Sequence, residues 1–190
     1  MVDFSADIAQ CMEALLRGGS ILYPTDTIWG IGCDALNEAA VEKIFGIKQR
    51  PKEKSLIVLL ADAQELLHYV SSISAAIISV TESFDRPTTV VYEHATGLPD
   101  NVINADGSIA IRVTKDPFCK ALIERLGHPL ISTSANLSGQ PSALVYAGID
   151  KVIINSVDYV VKYRQDDRVA ARPSRLVRMG ADGKMVILRD

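Results

Sequence analysis

The chain has 190 residues and a mass of 20.6 kDa, with 48% hydrophobic and 23% charged residues. That balance offsets chain entropy and excludes a disordered chain, while 12 Gly and 8 Pro without a period exclude collagen-like and low-complexity classes. Twenty Lys+Arg against 23 Asp+Glu give −3, so the overall field does not hold nucleic acid and any polyanion site must be a local cluster.

In chain order, Ser5 to Arg17 predicts an amphipathic helix, with Ile8, Cys11, Met12, Leu15 and Leu16 at helical spacing and Gly18-Gly19 as its stop. Ser20 to Tyr23 predicts a short buried strand ended by Pro24. Ile28 to Ala35 predicts a second strand, with Gly30 and Gly32 allowing close approach of a backbone or ligand. Asn37 caps a helix through Val41, Ile44 and Ile47 that ends near Pro51. Leu56 to Leu60 has the doubly apolar pattern of a strand buried between layers. Asp62 and Glu65 make a capping box for a helix to about Val70, and another helix covers about Ser74 to Phe84.

The second half continues the alternation. Thr88 to Tyr92 and Ser108 to Val113 predict strands, and Pro117 to Leu126 a helix with Gly127 past its end. Leu130 to Thr133 predicts a strand running into a polar loop, Ser134 to Ser142. Strands are expected near Asp158 to Val161, Leu176 to Met179 and Met185 to Leu188, with Asp182-Gly183 as a hairpin turn. The fold class expected is α/β, one domain over residues 1–190 with a mixed sheet covered by helices.

Three cysteines, Cys11, Cys33 and Cys119, are dispersed, and no Cys-x-x-Cys occurs, which points away from disulfides and zinc and toward a reducing cytoplasm. The longest apolar run, Leu56 to Ala61, is too short to span a bilayer, and no signal peptide is expected. P-loop, Rossmann and Gly-x-Ser-x-Gly motifs are absent.

Four polar segments follow apolar strands or helices. Tyr23-Pro-Thr-Asp-Thr27 reads as a turn closed by Thr hydroxyls or as a ligand loop. Lys48, Arg50, Lys52 and Lys54 form a cation cluster that suits a helix C-terminus or a polyphosphate. Ser132 to Ser142 offers neutral donors to phosphate or ribose, or saturates its own backbone. Arg112, inside the apolar strand Ile109 to Val113, needs a carboxylate or an anionic ligand, because an unpaired buried guanidinium is costly.

Taken together and in order, Tyr23-Pro-Thr-Asp-Thr-x-x-Gly-x-Gly-Cys-Asp34, Ile47-Lys-x-Arg-Pro51 and Ser132-Thr-Ser-Ala-Asn-x-Ser-Gly139 closely resemble the YrdC-like family of threonylcarbamoyl-AMP synthases. The likeness runs from the first helix to Leu188-Arg189, and the family's Lys-x-Arg and Ser-x-Asn hallmarks fall on Lys48, Arg50, Ser134 and Asn136. The resemblance implies a three-layer α/β domain with a twisted mixed sheet around a basic cavity. It implies a nucleotidyltransferase making threonylcarbamoyl-AMP and pyrophosphate from L-threonine, bicarbonate and ATP. A downstream tRNA threonylcarbamoyl-transferase complex would receive the product, with tRNA or double-stranded RNA as a further partner.

By the same resemblance, Lys48 and Arg50 carry catalysis. Arg50, Lys54, Ser134, Asn136, Ser142 and Arg189 bind ATP. Thr27, Arg112, Ser132 and Ser174 hold threonine, with Arg112 on the carboxylate. Magnesium would come with ATP, since no carboxylate cluster suggests a protein cage. The chain departs from the family pattern at Asp85-Arg-Pro-Thr-Thr89, which lacks a Gly, at Leu59, where some relatives have His, and at Pro173-Ser-Arg-Leu176. Two rivals remain: a non-catalytic RNA-binding module using the cations between Lys162 and Arg178, and a carbamoyl-phosphate-handling domain.

Overall fold

A computed structural model of the chain describes residues 3–49, 51, 55–71, 73–180 and 184–190. Helix α1 (Ser5–Leu16) buries Ile8, Cys11, Ala14 and Leu15 on one face, and Gly18, at φ +70°, returns its N–H to the Leu15 carbonyl. Strands β1 (Ile21–Tyr23) and β2 (Gly30–Gly32) lead to α2 (Glu38–Lys48). Asn37 accepts from the Ala40 N–H to cap α2, and left-handed Gln49 closes it. Strand β3 (Ile57–Leu60) precedes the Asp62/Glu65 capping box, a 3-10 turn (Ala63–Glu65) and the short α3 (Leu66–Tyr69).

Next come α4 (Ala75–Ser83), β4 (Thr88–Tyr92) and β5 (Ile109–Val113). Helix α5 (Pro117–Leu126) starts on Asp116, which caps Cys119 N–H, and stops at left-handed Gly127. Strand β6 (Leu130–Ser134), a 3-10 turn (Tyr146–Gly148), α6 (Lys151–Ile154), β7 (Tyr159–Val160), β8 (Arg175–Met179) and β9 (Met185–Arg189) complete the order.

The strands join into one nine-stranded mixed sheet, β7-β1-β2-β6-β3-β5-β4-β8-β9. Pairs β1–β7, β3–β5 and β4–β8 are parallel and the others antiparallel. Helices α1 and α5 pack on each other, α1 also on β1 and α5 on β3. Strand β3 is nearly fully buried, as its unbroken apolar run required.

Some elements differ from the sequence expectation. The strand expected over Ile28 to Ala35 is only Gly30–Gly32, because the Thr25 hydroxyl accepts from Thr27 N–H and donates to Ile28 O, turning the chain before β2. Past β2, Asp34 keeps only an isolated bridge to Leu130. The helix after Asp62 begins as a 3-10 turn and ends at Tyr69, since Val70 bridges Ala95 instead. Between the polar loop ending at Ser142 and the strand near Asp158 no element was expected, and the structure places α6 there, with Asp150 capping it by accepting from Val152 N–H. The Asp182-Gly183 turn lies outside the described residues.

Candidate active site

A cavity of about 220 Å³ opens over the middle of the sheet. Strand registers build its floor. Gly30 pairs with Ser134, Ile57 with Ser132 and Ala110, and Leu59 with Arg112. Side chains alternate across a strand, so Ser132 and Ser134 share one face of β6, and Ala110 and Arg112 one face of β5. That face carries the small residues Gly30, Ser132, Ser134 and Ala110 beside Ile57 and Leu59, and Arg112 is its charged side chain. The small residues leave the space and the guanidinium supplies the charge.

The walls come from loops. Thr27 and Trp29 stand between β1 and β2, Ser142 beyond β6, and Ser174 before β8, while Arg189 reaches in from β9. Trp29 packs against Tyr146 at a centroid distance of 4.9 Å. Thr27 is fixed by a 2.9 Å hydroxyl contact with Thr25. Ser174 meets the buried Thr89 hydroxyl at 2.8 Å, and its carbonyl accepts from Arg189 Nη2 at 2.9 Å. Among the described residues the lining contains two arginines, several hydroxyls and no carboxylate, so it suits an anionic ligand. Among the described residues no three His, Cys, Asp or Glu side chains converge as a metal cage.

Arg112 is 3% exposed, and its Nη2 lies 3.2 Å from Asp26 Oδ1. The contact lacks hydrogen-bond geometry: Arg112 Nε and Nη2 and Asp26 Oδ1 are all buried without a hydrogen-bond partner. Nε and Nη2 together form the side-on fork that grips a carboxylate bidentately. The salt-bridge and ligand readings of Arg112 therefore both have a physical basis here, with Asp26 as the internal acid that sequence distance concealed.

Of the expected site residues, Thr27, Arg112, Ser132, Ser134, Ser142, Ser174 and Arg189 are brought together around the cavity. Asn136 is not in the lining: its Nδ2 donates to Leu137 O and Gln140 O, which holds the polar loop in shape. Lys48 is not in the lining either. It is 1% exposed, and its ammonium donates to Ser134 O, to Asn136 O at 2.7 Å and to Asn136 Oδ1 at 3.4 Å. The apolar stripe of α2 could have revealed this, because Val41, Ile44, Phe45 and Lys48 follow i, i+3, i+4, i+7 spacing. Arg50 and Lys54 lie outside the described residues. Asp26 and Thr89 were not singled out as site residues. Asp26 sat within the first polar motif, and Thr89 was noted only as the last residue of the Asp85-Arg-Pro-Thr-Thr89 stretch that departs from the family pattern.

Other surfaces suit the chemistry less. A groove of about 920 Å³ between α1 and α5 is lined largely by Phe4, Ile8, Pro117, Ala121 and Tyr163, an apolar wall that offers little to a polyanion. Cations of the Lys162 to Arg178 segment are partly committed: Arg164 pairs with Asp116 and Asp167, and Arg175 stacks over Phe84 at 5.3 Å. No helix among the described residues is long and apolar enough to cross a membrane.

Comparison with known proteins identifies the family. The Sua5/YciO/YrdC family model, described as "Telomere recombination", matches residues 13–190. The threonylcarbamoyl-AMP synthase of Idiomarina loihiensis is 37% identical over 90% of this chain and 93% of its own. That of Pseudoalteromonas translucida is 38% identical over 81% and 84%. Among solved structures, E. coli YciO has a TM-score of 0.82 at 26% identity, covering 97% of this chain and 89% of that one. P. abyssi Sua5 complexed with L-threonine shares the fold, with a TM-score of 0.85 at 22% identity, and this chain spans 55% of its length. With a family model matched along nearly its whole length and relatives above one-third identity, the chain belongs to the Sua5/YciO/YrdC family.

Proposed function

We propose that the protein is an L-threonylcarbamoyladenylate synthase, a nucleotidyltransferase that forms threonylcarbamoyl-AMP and pyrophosphate from L-threonine, bicarbonate and ATP for tRNA modification. The observation that carries the reading is the buried Nε/Nη2 edge of Arg112, which makes no hydrogen bond although Nη2 lies 3.2 Å from Asp26 Oδ1, in a cavity lined among the described residues by a second arginine and several hydroxyls. Relatives named threonylcarbamoyl-AMP synthase give the fork its ligand class.

In this reading the threonine carboxylate takes the Arg112 fork, with Thr27, Ser132 and Ser174 around the rest of the amino acid. The threonine amine attacks the bicarbonate carbon and water is lost, giving a carbamate, and a carbamate oxygen attacks the α-phosphorus of ATP. The new O–P bond forms as the bond from the α-phosphorus to the bridging oxygen breaks, and pyrophosphate leaves. No enzyme nucleophile is required. Catalysis is charge neutralisation and positioning, drawing on Arg189, Ser134 and Ser142 with Arg50 and Lys54. A magnesium ion would arrive with the nucleotide and supply neutralisation of phosphate charge, with hydroxyls of the described lining such as Ser134 and Ser142 as the groups that would hold it. Three unpaired buried cysteines suit a reducing cytoplasm, where a tRNA-modifying partner enzyme would receive the adenylate.

The test is mass spectrometry of the protein incubated with ATP, threonine and bicarbonate, alongside pyrophosphate release. Threonylcarbamoyl-adenylate and pyrophosphate that both require threonine and bicarbonate are expected. Their absence, together with tight binding of tRNA, would favour an RNA-binding module instead.

A further inference from the structure

We infer that Lys48 is a positioning residue that works through the Ser134–Ser138 loop and never meets the nucleotide phosphates. The inference deepens the synthase reading, because the loop it holds carries the cavity-lining Ser134. Lys48 sits at the last turn of α2 on its buried stripe and is 1% exposed. Its ammonium reaches three acceptors of one short loop: Ser134 O, Asn136 O at 2.7 Å and Asn136 Oδ1 at 3.4 Å. The grip is returned by the backbone, since Ser138 N–H donates to the Lys48 carbonyl at 2.9 Å.

Ser134 O and Asn136 O belong to residues flanking the point where β6 leaves the sheet. Strand β6 supplies Ser132 and Ser134 to the cavity floor, and Ser134 is in register with Gly30. Backbone turns of this kind leave carbonyls that need donors once water is excluded. An ammonium with three donors is the compact group that can satisfy several converging carbonyls at once. Those carbonyl dipoles and the Asn136 amide oxygen stabilise its charge, which helps a lysine to be tolerated at a buried position. A phosphate ligand would have to pull Lys48 from this cage and leave those carbonyls unsatisfied. The burial, the acceptor set and the position outside the cavity lining all favour the fixed arrangement.

The first test uses the unaltered protein. Lysines are acetylated under limiting reagent and sites are read by mass spectrometry, with and without ATP. Lys48 is expected to stay at least tenfold less reactive than exposed Lys151 in both conditions. A Lys48 that labels readily without ATP and is protected by ATP meets the phosphates, and the inference fails. This readout does not depend on turnover, so it stands or falls apart from the synthase reading.

The second test compares Lys48→Met and Lys48→Arg. Both are expected to raise the KM for ATP about tenfold and to speed hydrogen exchange in residues 134–138. The slope of log ATP affinity against log salt should stay that of the unaltered protein, because no phosphate-facing charge has been removed. Arginine should not rescue, since a planar fork does not fit a carbonyl cage but serves phosphate well. A shallower salt slope in Lys48→Met, or near-full ATP affinity in Lys48→Arg, would overturn the inference. If neither variant folds, the labelling of the unaltered protein decides.

Discussion

Asp26 and Arg112 face each other at 3.2 Å without making a hydrogen bond, from a loop and a strand far apart in sequence. The carboxylate keeps the buried guanidinium from being an unpaired charge, while the poor alignment leaves the Nε/Nη2 fork open for a ligand. Asp26 Oδ2 is steadied by the Thr114 hydroxyl at 3.4 Å. Asp26 thus balances the buried charge of Arg112, while the Nε/Nη2 edge makes no hydrogen bond.

Two variants separate these roles. Arg112→Lys keeps the charge but loses the fork, so the threonine KM should rise ten- to a hundredfold, in line with about 1.5–3 kcal/mol for a charged hydrogen bond. The ATP KM should stay within about twofold of the unaltered value, a range in which a ligand contact is worth little. Asp26→Asn should instead lower stability by about 3 kcal/mol, the lower end for breaking a buried pair, because Asp26 is 14% exposed. Steady-state kinetics and denaturant midpoints check both. An unchanged threonine KM in folded Arg112→Lys rules out the fork.

Thr89→Val removes the hydroxyl that Ser174 shares at 2.8 Å in a fully buried spot. Stability should fall by about 1–2 kcal/mol, the cost of leaving one buried hydroxyl without its partner. The KM for threonine should also rise, because Ser174 loses its fixed orientation beside the cavity. A variant with lower stability and unchanged KM would confine Thr89 to the core.

Glycines in two settings should respond in opposite directions. A Cβ on Gly32 would lie 2.1 Å from the Ile131 carbonyl and 2.9 Å from a Tyr23 ring carbon. Gly32→Ala should therefore destabilise by about 3 kcal/mol or more, since backbone must move. A Cβ on Gly46, inside α2, meets nothing within 4 Å. Gly46→Ala should stabilise by about 0.5–1 kcal/mol through helix propensity. Thermal melts of both variants check the pair.

The three cysteines are buried, and burial is the main cause that pushes each thiol upward, Cys11 to about 12 and Cys119 well above its ordinary value. The thiolate is the reactive form, so alkylation should be slow in the native protein and complete in denaturant. Rapid native-state labelling of Cys33 or Cys119 would contradict the packing of β2 and α5.

Asp158 accepts from the Ser20 N–H at 2.7 Å and from its hydroxyl at 3.0 Å, and these bonds hold its carboxyl below 3.8. A lowered folded value means that its stabilisation is present above the unfolded value and lost as pH falls through the folded one. Asp158→Asn should therefore melt earlier than the unaltered protein near neutral pH, with the gap closing below pH 3.8. A gap that persists in acid would assign the effect to packing.

Local signals were the most readable in the sequence. Asn37, the Asp62/Glu65 box, and Asp116 with Pro117 and Gly127 placed helix ends because each satisfies backbone groups within a few residues. Four residues of the expected site, Thr27, Arg112, Ser132 and Ser174, meet around one cavity. What stayed hidden was pairing at long range. Nothing near Arg112 announces Asp26, and nothing near Ser174 announces Thr89. The burial of Lys48, at the start of the cation cluster, was not legible from charge alone, which does not tell whether a side chain points outward. The stripe from Val41 to Lys48 carried that information, and it lies in the helix rather than in the cluster.

Arg189 enters the cavity from β9, which joins the sheet only through β8, and β8 only through β4. During folding, the pocket therefore stays unfinished until this end of the sheet has zipped onto the centre. Non-local assembly of this kind is slow relative to helix formation. A partly folded chain offers no complete cradle to either substrate, so substrates stabilise only the finished state, by mass action. Nucleotide and amino acid would then act as a check on folding: chains that have not docked β9 gain nothing from them and remain exposed to proteolysis.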